Sequence, residues 1–172
     1  QAGFLHYEIS NFAQPGYACR HNIGYWTREN YLGLGLGASS LVENVRYTNP
    51  RQLYVYGEFC DHLQEKSPAE FLKDGEHAVP EDLWIGSCVQ EQAQILTRKE
   101  QMEEFMFLGL RLTEGVSFAR FRQRFGKEMD AVYGKELQEL TELGLLLRDE
   151  SGVRLSRRGI DVSNAVFERF LL

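Results

Sequence analysis

Eight consecutive residues, Cys19-Arg20-His21-Asn22-Ile23-Gly24-Tyr25-Trp26, gather a thiol, an imidazole, a phenol and an indole. A neutral imidazole can ligate haem iron through one nitrogen while the other donates to a nearby acceptor and so fixes the tautomer. His21 is the candidate for that chemistry. Tyr25 and Trp26 are flat amphipathic rings suited to lining a porphyrin-sized pocket. Spacing alone favours a plainer reading, a loop histidine hydrogen-bonded to backbone. Cys19 lies two residues before His21, so in an extended segment both side chains face the same way. Its thiolate is a second or alternative axial ligand; the competing reading is a small buried hydrophobe. Covalent c-type attachment needs Cys-x-x-Cys-His, which this sequence lacks.

The run Tyr31-Leu32-Gly33-Leu34-Gly35-Leu36-Gly37-Ala38-Ser39-Ser40 comes next. Its alternation over 32–37 predicts a strand with three leucines on a buried face and three glycines on the other. A bare glycine face admits a planar cofactor or another backbone. The spacing is Gly-x-Gly-x-Gly rather than Gly-x-Gly-x-x-Gly, and the residues after it read as extended, so a dinucleotide loop is excluded.

These segments need elements to hold them. A strand is expected over 4–9, a turn at Gln14-Pro15-Gly16, and a loop or short edge segment over 17–30. Further strands are expected over 32–36 and 41–47. Asn49-Pro50 should open a helix, with Asn49 as its cap and Leu53, Tyr56, Cys60 and Leu63 as its apolar stripe. Residues 67–98 give no clear pattern. Thr97-x-x-Glu100 reads as a capping box for a helix to about residue 112, with Met102, Phe105, Met106 and Leu110 inward. Ser117 should cap a second helix carrying Phe118, Phe121 and Phe125, and Asp130 a third carrying Tyr133, Leu137 and Leu140. A hairpin around Glu150-Ser151-Gly152 and a last helix with Ile160, Val166, Phe167 and Phe170 complete the pattern.

The net charge is −6, with seven Lys and Arg against twelve Asp and Glu over 1–98 and twelve against thirteen over 99–172. Neither part has the basic excess of a nucleic-acid binder, and the third helix sets Glu136, Glu139 and Glu142 against Lys135. Nucleic acid is therefore not an expected partner. Arg120, Arg122 and Arg124 read as a solvated face or a contact to other parts of the protein. Cys19, Cys60 and Cys88 form no Cys-x-x-Cys pair, which points to neither a zinc ribbon nor a disulfide framework. No apolar run is long enough to cross a membrane and no signal peptide is evident, so a cytoplasmic location is expected. The chain opens on Gln1 and reads as the C-terminal part of a longer protein.

Glu8-Ile9-Ser10-Asn11-Phe12-Ala13, the HNxxYW box at 21–26, the Gly-Leu-Gly-Ala-Ser run, the segment 103–111 and Thr113-Glu114-Gly115-Val116 carry a family resemblance from end to end. Together they resemble the radical S-adenosylmethionine proteins related to oxygen-independent coproporphyrinogen III oxidase. The HNxxYW box resembles the haem-chaperone branch; the oxidases carry a segment ending in Gly-Tyr-Thr there and lack this histidine. The resemblance implies an α/β fold. The last strands of an incomplete TIM-like barrel would occupy 1–98, and a mostly helical, winged-helix-like domain 99–172.

By the same resemblance, haem lies at His21, Asn22, Tyr25, Trp26 and Cys19, with its iron on His21. S-adenosylmethionine lies beside Gly35, Gly37, Ser39 and Leu41, the last matching a position that contacts it. The family's [4Fe–4S] cluster needs Cys-x-x-x-Cys-x-x-Cys, a spacing absent here, so the cluster is expected outside this sequence. The implied function is to bind haem and pass it to an acceptor protein, which can be membrane-associated. Two rivals stand beside it. One is coproporphyrinogen oxidation by radical decarboxylation, against which HNIGYW argues. The other is a cofactor-free winged-helix interaction module.

Overall fold

The computed structural model describes residues 3–63 and 93–172. Two compact units emerge, residues 3–29 with 98–172, and 30–63 with 93–97. The chain opens with a hairpin of β1 (Leu5–Glu8) and β2 (Asn11–Ala13). Pro15 and Gly16, the latter at φ 83°, turn the chain at Gln14–Tyr17, where the Tyr17 amide donates to the Gln14 carbonyl at 2.9 Å. Helix α1 (Arg20–Trp26) then stands where a loop or edge segment was expected.

In the second unit, β3 (Ser39–Val42) and β4 (Val45–Thr48) form a hairpin where one strand over 41–47 was expected. Glu43 and Asn44, at φ 49° and 67°, supply its two-residue turn with the twist that tight hairpins need. Helix α2 (Leu53–Leu63) comes next, and β5 (Gln94–Ile95) pairs with β4. Leu41, Val45, Tyr47, Val55 and Leu96 are the buried apolar side chains.

The leucine–glycine run overturns the expected strand. Gly35 and Gly37 take φ of 92° and 67°, so the alternation breaks, and Leu32, Leu34 and Leu36 are 58, 80 and 49 % exposed rather than buried. Polar bonds hold the run instead. Asn49 Nδ2 donates to the carbonyls of Gly33 and Gly35 at 2.9 Å each, and the Gly35 amide donates to Tyr56 Oη at 3.0 Å. Asn49 therefore organises a loop rather than capping α2, which begins four residues later. The expected stripe also shifts, since Leu53 is exposed and Val55 is the buried residue. Most of 67–98 lies outside the described residues.

The remainder of the first unit keeps the expected order. Helix α3 (Arg98–Gly109) starts directly after Thr97 and buries Met102, Phe105 and Met106, with Leu110 just beyond it. β6 (Val116–Ser117) leads into α4 (Phe118–Phe125), whose first turn is bonded by Ser117 Oγ and whose end is closed by Gly126 at φ 64°. In α5 (Met129–Glu142) the cap position is Glu128 rather than Asp130. Asp130 instead accepts two bonds from Arg148, at 2.8 and 2.7 Å. β7 (Leu146–Arg148) and β8 (Gly152–Leu155) form the expected hairpin, and the antiparallel sheet order is β6-β8-β7. The last helix divides into α6 (Arg157–Asp161) and α7 (Ser163–Glu168).

One core fills this unit. Phe105, Phe121 and Phe125 meet with ring centroids 4.8 to 5.5 Å apart, and Tyr133 meets Phe170 at 5.4 Å. The hairpin β1–β2 joins it by continued strand pairing. Ile9 donates to the Arg111 carbonyl at 2.9 Å, Thr113 to the Tyr7 carbonyl at 3.1 Å, and Ile9 packs against the core. Compactness thus groups residues 3–29 with 98–172, a different grouping from a single division at 98/99.

Gly33 tests the loop in the second unit. A Cβ there would fall 2.3 Å from the Ser39 carbonyl oxygen, whereas one at Gly57 in α2 meets nothing within 4 Å. Gly33→Ala should cost at least about 2 kcal/mol in urea melts. Gly57→Ala should gain about 0.5–1 kcal/mol from helix propensity.

Candidate functional site

Once residues 20–26 are a helix, HNxxYW becomes two i, i+4 pairs, His21 with Tyr25 and Asn22 with Trp26, on adjoining faces. The rings of His21 and Tyr25 meet edge to face, 4.5 Å between centroids and 70° between planes. His21 is exposed and makes no hydrogen bond or ion pair among the described residues, so both its ring nitrogens are open to a ligand. Tyr25 and Asn22 are half-buried beside it.

Trp26 has the opposite task. Its ring carries the Arg111 guanidinium 4.3 Å from its centroid, a cation–π contact, and it helps line a crevice with Phe105, Gly109 and Val116. That crevice measures about 20 Å³, room for a single water. The crevice under Trp26 is therefore too small to admit a porphyrin.

The C-terminal end of α1 explains how so short a helix is held. Thr27 Oγ1 donates back to the Ile23 carbonyl at 2.9 Å. The Arg28 amide donates to the Tyr25 carbonyl at 3.1 Å and the Glu29 amide to the Gly24 carbonyl at 2.9 Å. This is the paired-bond helix ending that normally places glycine in the left-handed position. Here Arg28 occupies it at φ 59°, a conformation costing a non-glycine residue about 1–2 kcal/mol. Arg28 is nonetheless 2 % exposed, and its Nε donates to Glu104 Oε2 of α3 at 2.5 Å, with Glu104 itself 5 % exposed. Arg124 Nη2 adds a bond to the Arg28 carbonyl at 3.3 Å. A buried ion pair thus offsets the strained ending and ties the HNxxYW helix to the helical core.

The remaining expected site residues are dispersed. Cys19 is a free, exposed thiol at the cap position of α1, where its side chain makes no capping bond; it is not a buried hydrophobe and does not share an extended face with His21. Gly35, Gly37, Ser39 and Leu41 lie in the second unit. The amides of Gly35 and Gly37 are used by Tyr56 Oη and the Pro50 carbonyl, and Leu41 is buried with amide and carbonyl both bonded to Tyr31. Ser39 is exposed, its hydroxyl 3.2 Å from that of Thr48, and a Cβ at Gly35 would meet open space. Among the described residues no group of three or more His, Cys, Asp or Glu could hold a metal ion, and no helix is long and apolar enough to cross a membrane. Arg28, Glu104 and Arg111 carry no signal in the sequence pattern. Only the helical spacing of HNxxYW could have shown that its end needs an anchor.

Comparison with known proteins places this architecture. Residues 96–162 match the HemN C-terminal domain. The chain is 35 % identical over 170 residues to the heme chaperone HemW of Lactococcus lactis, covering 99 % of this chain and 38 % of that protein. It is 37 % identical over 169 residues to the heme chaperone HemW of Bacillus subtilis, covering 98 and 38 %. A mitochondrial radical S-adenosyl methionine domain-containing protein 1 from Danio rerio is 28 % identical over 186 residues, 100 % of this chain and 36 % of that protein. The fold is shared with the solved coproporphyrinogen III oxidase HemN of Escherichia coli, at a TM-score of 0.60 and 16 % identity, over 98 % of this chain and 37 % of that one. Over nearly its whole length the chain is similar to HemW heme chaperones, and over 96–162 to the HemN C-terminal domain. It spans about 38 % of the length of these curated relatives.

Removing the anchor gives a direct test of the site's support. Glu104→Ala leaves the Arg28 guanidinium buried and should cost about 3–5 kcal/mol in chemical denaturation. Arg28→Gly suits the left-handed position better yet removes the buried ion pair with Glu104, so it too should destabilise. A neutral or stabilising Arg28→Gly would show that the ion pair does not hold α1.

Proposed function

We propose that this protein carries haem as cargo on the outer face of α1, with His21 as axial ligand of the iron, and that it acts as part of a haem chaperone. The observation that carries this reading is the exposed His21 imidazole, unbonded and packed edge-on against Tyr25, on a helix locked to the core by a buried ion pair. A fixed imidazole with both nitrogens accessible suits reversible iron ligation. The open face suits a ligand that must be passed on, and the 35 and 37 % identical relatives are heme chaperones by name. Asn22 and Tyr25 would border the porphyrin, and Cys19 lies at the helix entrance.

The acceptor would be another protein, membrane-bound or not, that competes for the same open haem face. S-adenosylmethionine would lie against Ser39 and the open space over Gly35, with Gly37 and Leu41 holding that loop in shape. The [4Fe–4S] cluster of the family would be held by residues other than these three cysteines, which lack its spacing. In the finer reading of the fold, 1–98 would carry the last strands of an incomplete barrel, and 99–172 would form a winged-helix-like domain in a cytoplasmic protein. Coproporphyrinogen oxidation is not favoured, since the 35 and 37 % identical relatives are heme chaperones by name and the solved oxidase is 16 % identical.

Haemin titration followed in the visible spectrum tests the assignment. His21→Ala should weaken binding by about tenfold or more and move the Soret band, because the axial nitrogen is lost. Trp26→Ala should weaken binding while leaving the band in place, since it loosens α1 and spares the imidazole. Cys19→Ser should change neither. An unchanged band and affinity in His21→Ala would remove His21 as the ligand.

A further inference from the structure

Of the α4 arginines, Arg124 bonds the Arg28 carbonyl at the end of α1, while Arg120 and Arg122 make no such contact among the described residues. Phe118–Phe125 contains Arg120, Arg122 and Arg124 and no acidic residue, within a chain of net charge −6. Arg122 pairs with Glu128 at 3.4 Å. Arg120 and Arg124, one turn apart on another face, have no carboxylate partner among the described residues. With Gln123 and Phe105 they line an open cleft of about 380 Å³.

Other cations close in on this cleft. Arg98 lies 5.1 Å over the Phe125 ring, and its Nη2 donates to the Arg124 carbonyl at 2.9 Å. Burial, followed by the charges of Arg28, Arg120 and Arg98, holds the Arg124 guanidinium below its usual pKa range. The carboxylate opposing that effect is Glu104, already engaged with Arg28. Like charges gathered without a counterion cost energy that a bound anion would recover, and guanidinium forks match carboxylates in particular.

Position narrows the choice of anion. The cleft shares Phe105 and Arg120 with the crevice lined by Trp26, so it borders the Trp26 end of α1, the helix whose other end presents His21. We infer that Arg120 and Arg124, with Gln123, form a subsite for the ionised propionate carboxylates of haem bound along α1. The inference rests on the haem reading of α1. It assigns the two ends of the ligand to different elements, iron to α1 and carboxylates to α4.

The test compares haemin with its dimethyl ester, whose propionates carry no charge, by Soret titration. Wild type should bind haemin about tenfold or more tightly than the ester. Arg120→Gln, which removes no internal hydrogen bond of the described residues, should lower haemin affinity toward that of the ester and leave the ester unchanged. Arg120→Lys should recover part of the difference. Arg124→Gln also loses the bond to the Arg28 carbonyl, so it should weaken binding of both ligands and narrow the preference for haemin. Thermal melts check that the variants fold. Wild-type binding of haemin and ester with equal affinity, or an undiminished preference in the Gln variants, would overturn the subsite while leaving haem binding intact. Absence of any haemin binding by wild type would remove the haem reading and the subsite together.

Discussion

The Arg28–Glu104 ion pair is the contact on which the candidate site depends. A helix of seven residues has too little cooperativity to persist alone, so its stability must come from tertiary contacts. Among the described residues, the ion pair and helix-ending bonds hold α1 at its C-terminal end. Its ending places a non-glycine residue in left-handed geometry, and a buried charge pair fixes that residue against α3. The Arg111–Trp26 contact supports the same end. The other end, carrying Cys19 and His21, stays exposed. Rigidity and accessibility are thus divided along one short helix.

That division gives the HNxxYW residues different jobs. Trp26 faces the core and serves attachment. His21 is exposed with Tyr25 half-buried against it, and these two would meet the proposed ligand. A crevice of about 20 Å³ cannot enclose a porphyrin, so in the proposed reading the cargo would lie on a surface, where an acceptor could reach it. A closed pocket would favour retention. An exposed imidazole on an anchored helix would instead suit exchange between proteins.

Local patterns made much of the helical unit legible. Met102, Phe105, Met106 and Leu110 fall on one face at helical spacing, Ser117 and Gly126 bound α4 as their chemistry dictates, and the hairpin around Ser151 arises from its turn residues. Local pattern misleads where long-range contacts decide. Residues 17–30 look irregular because the partner that stabilises α1 lies 76 positions away in sequence. The leucine–glycine alternation looks like a strand, but Asn49 and Tyr56 bend it through its own carbonyls and amides, exposing the leucines. Asn49 resembles a helix cap because Pro50 comes after it, while its side chain is spent elsewhere. In the candidate site, residue types pointed to His21, Tyr25 and Trp26, but not to the opposite roles that helical geometry gives them.

The most direct test of His21 as the iron's ligand is pulsed electron paramagnetic resonance of the ferric haem complex of ¹⁵N-histidine-labelled protein, compared with its His21→Ala variant. Hyperfine coupling from a labelled imidazole nitrogen bound axially to iron, lost in the variant, is the expected result. Coupling from porphyrin nitrogens alone, or a thiolate-ligated signal abolished by Cys19→Ser, would contradict it.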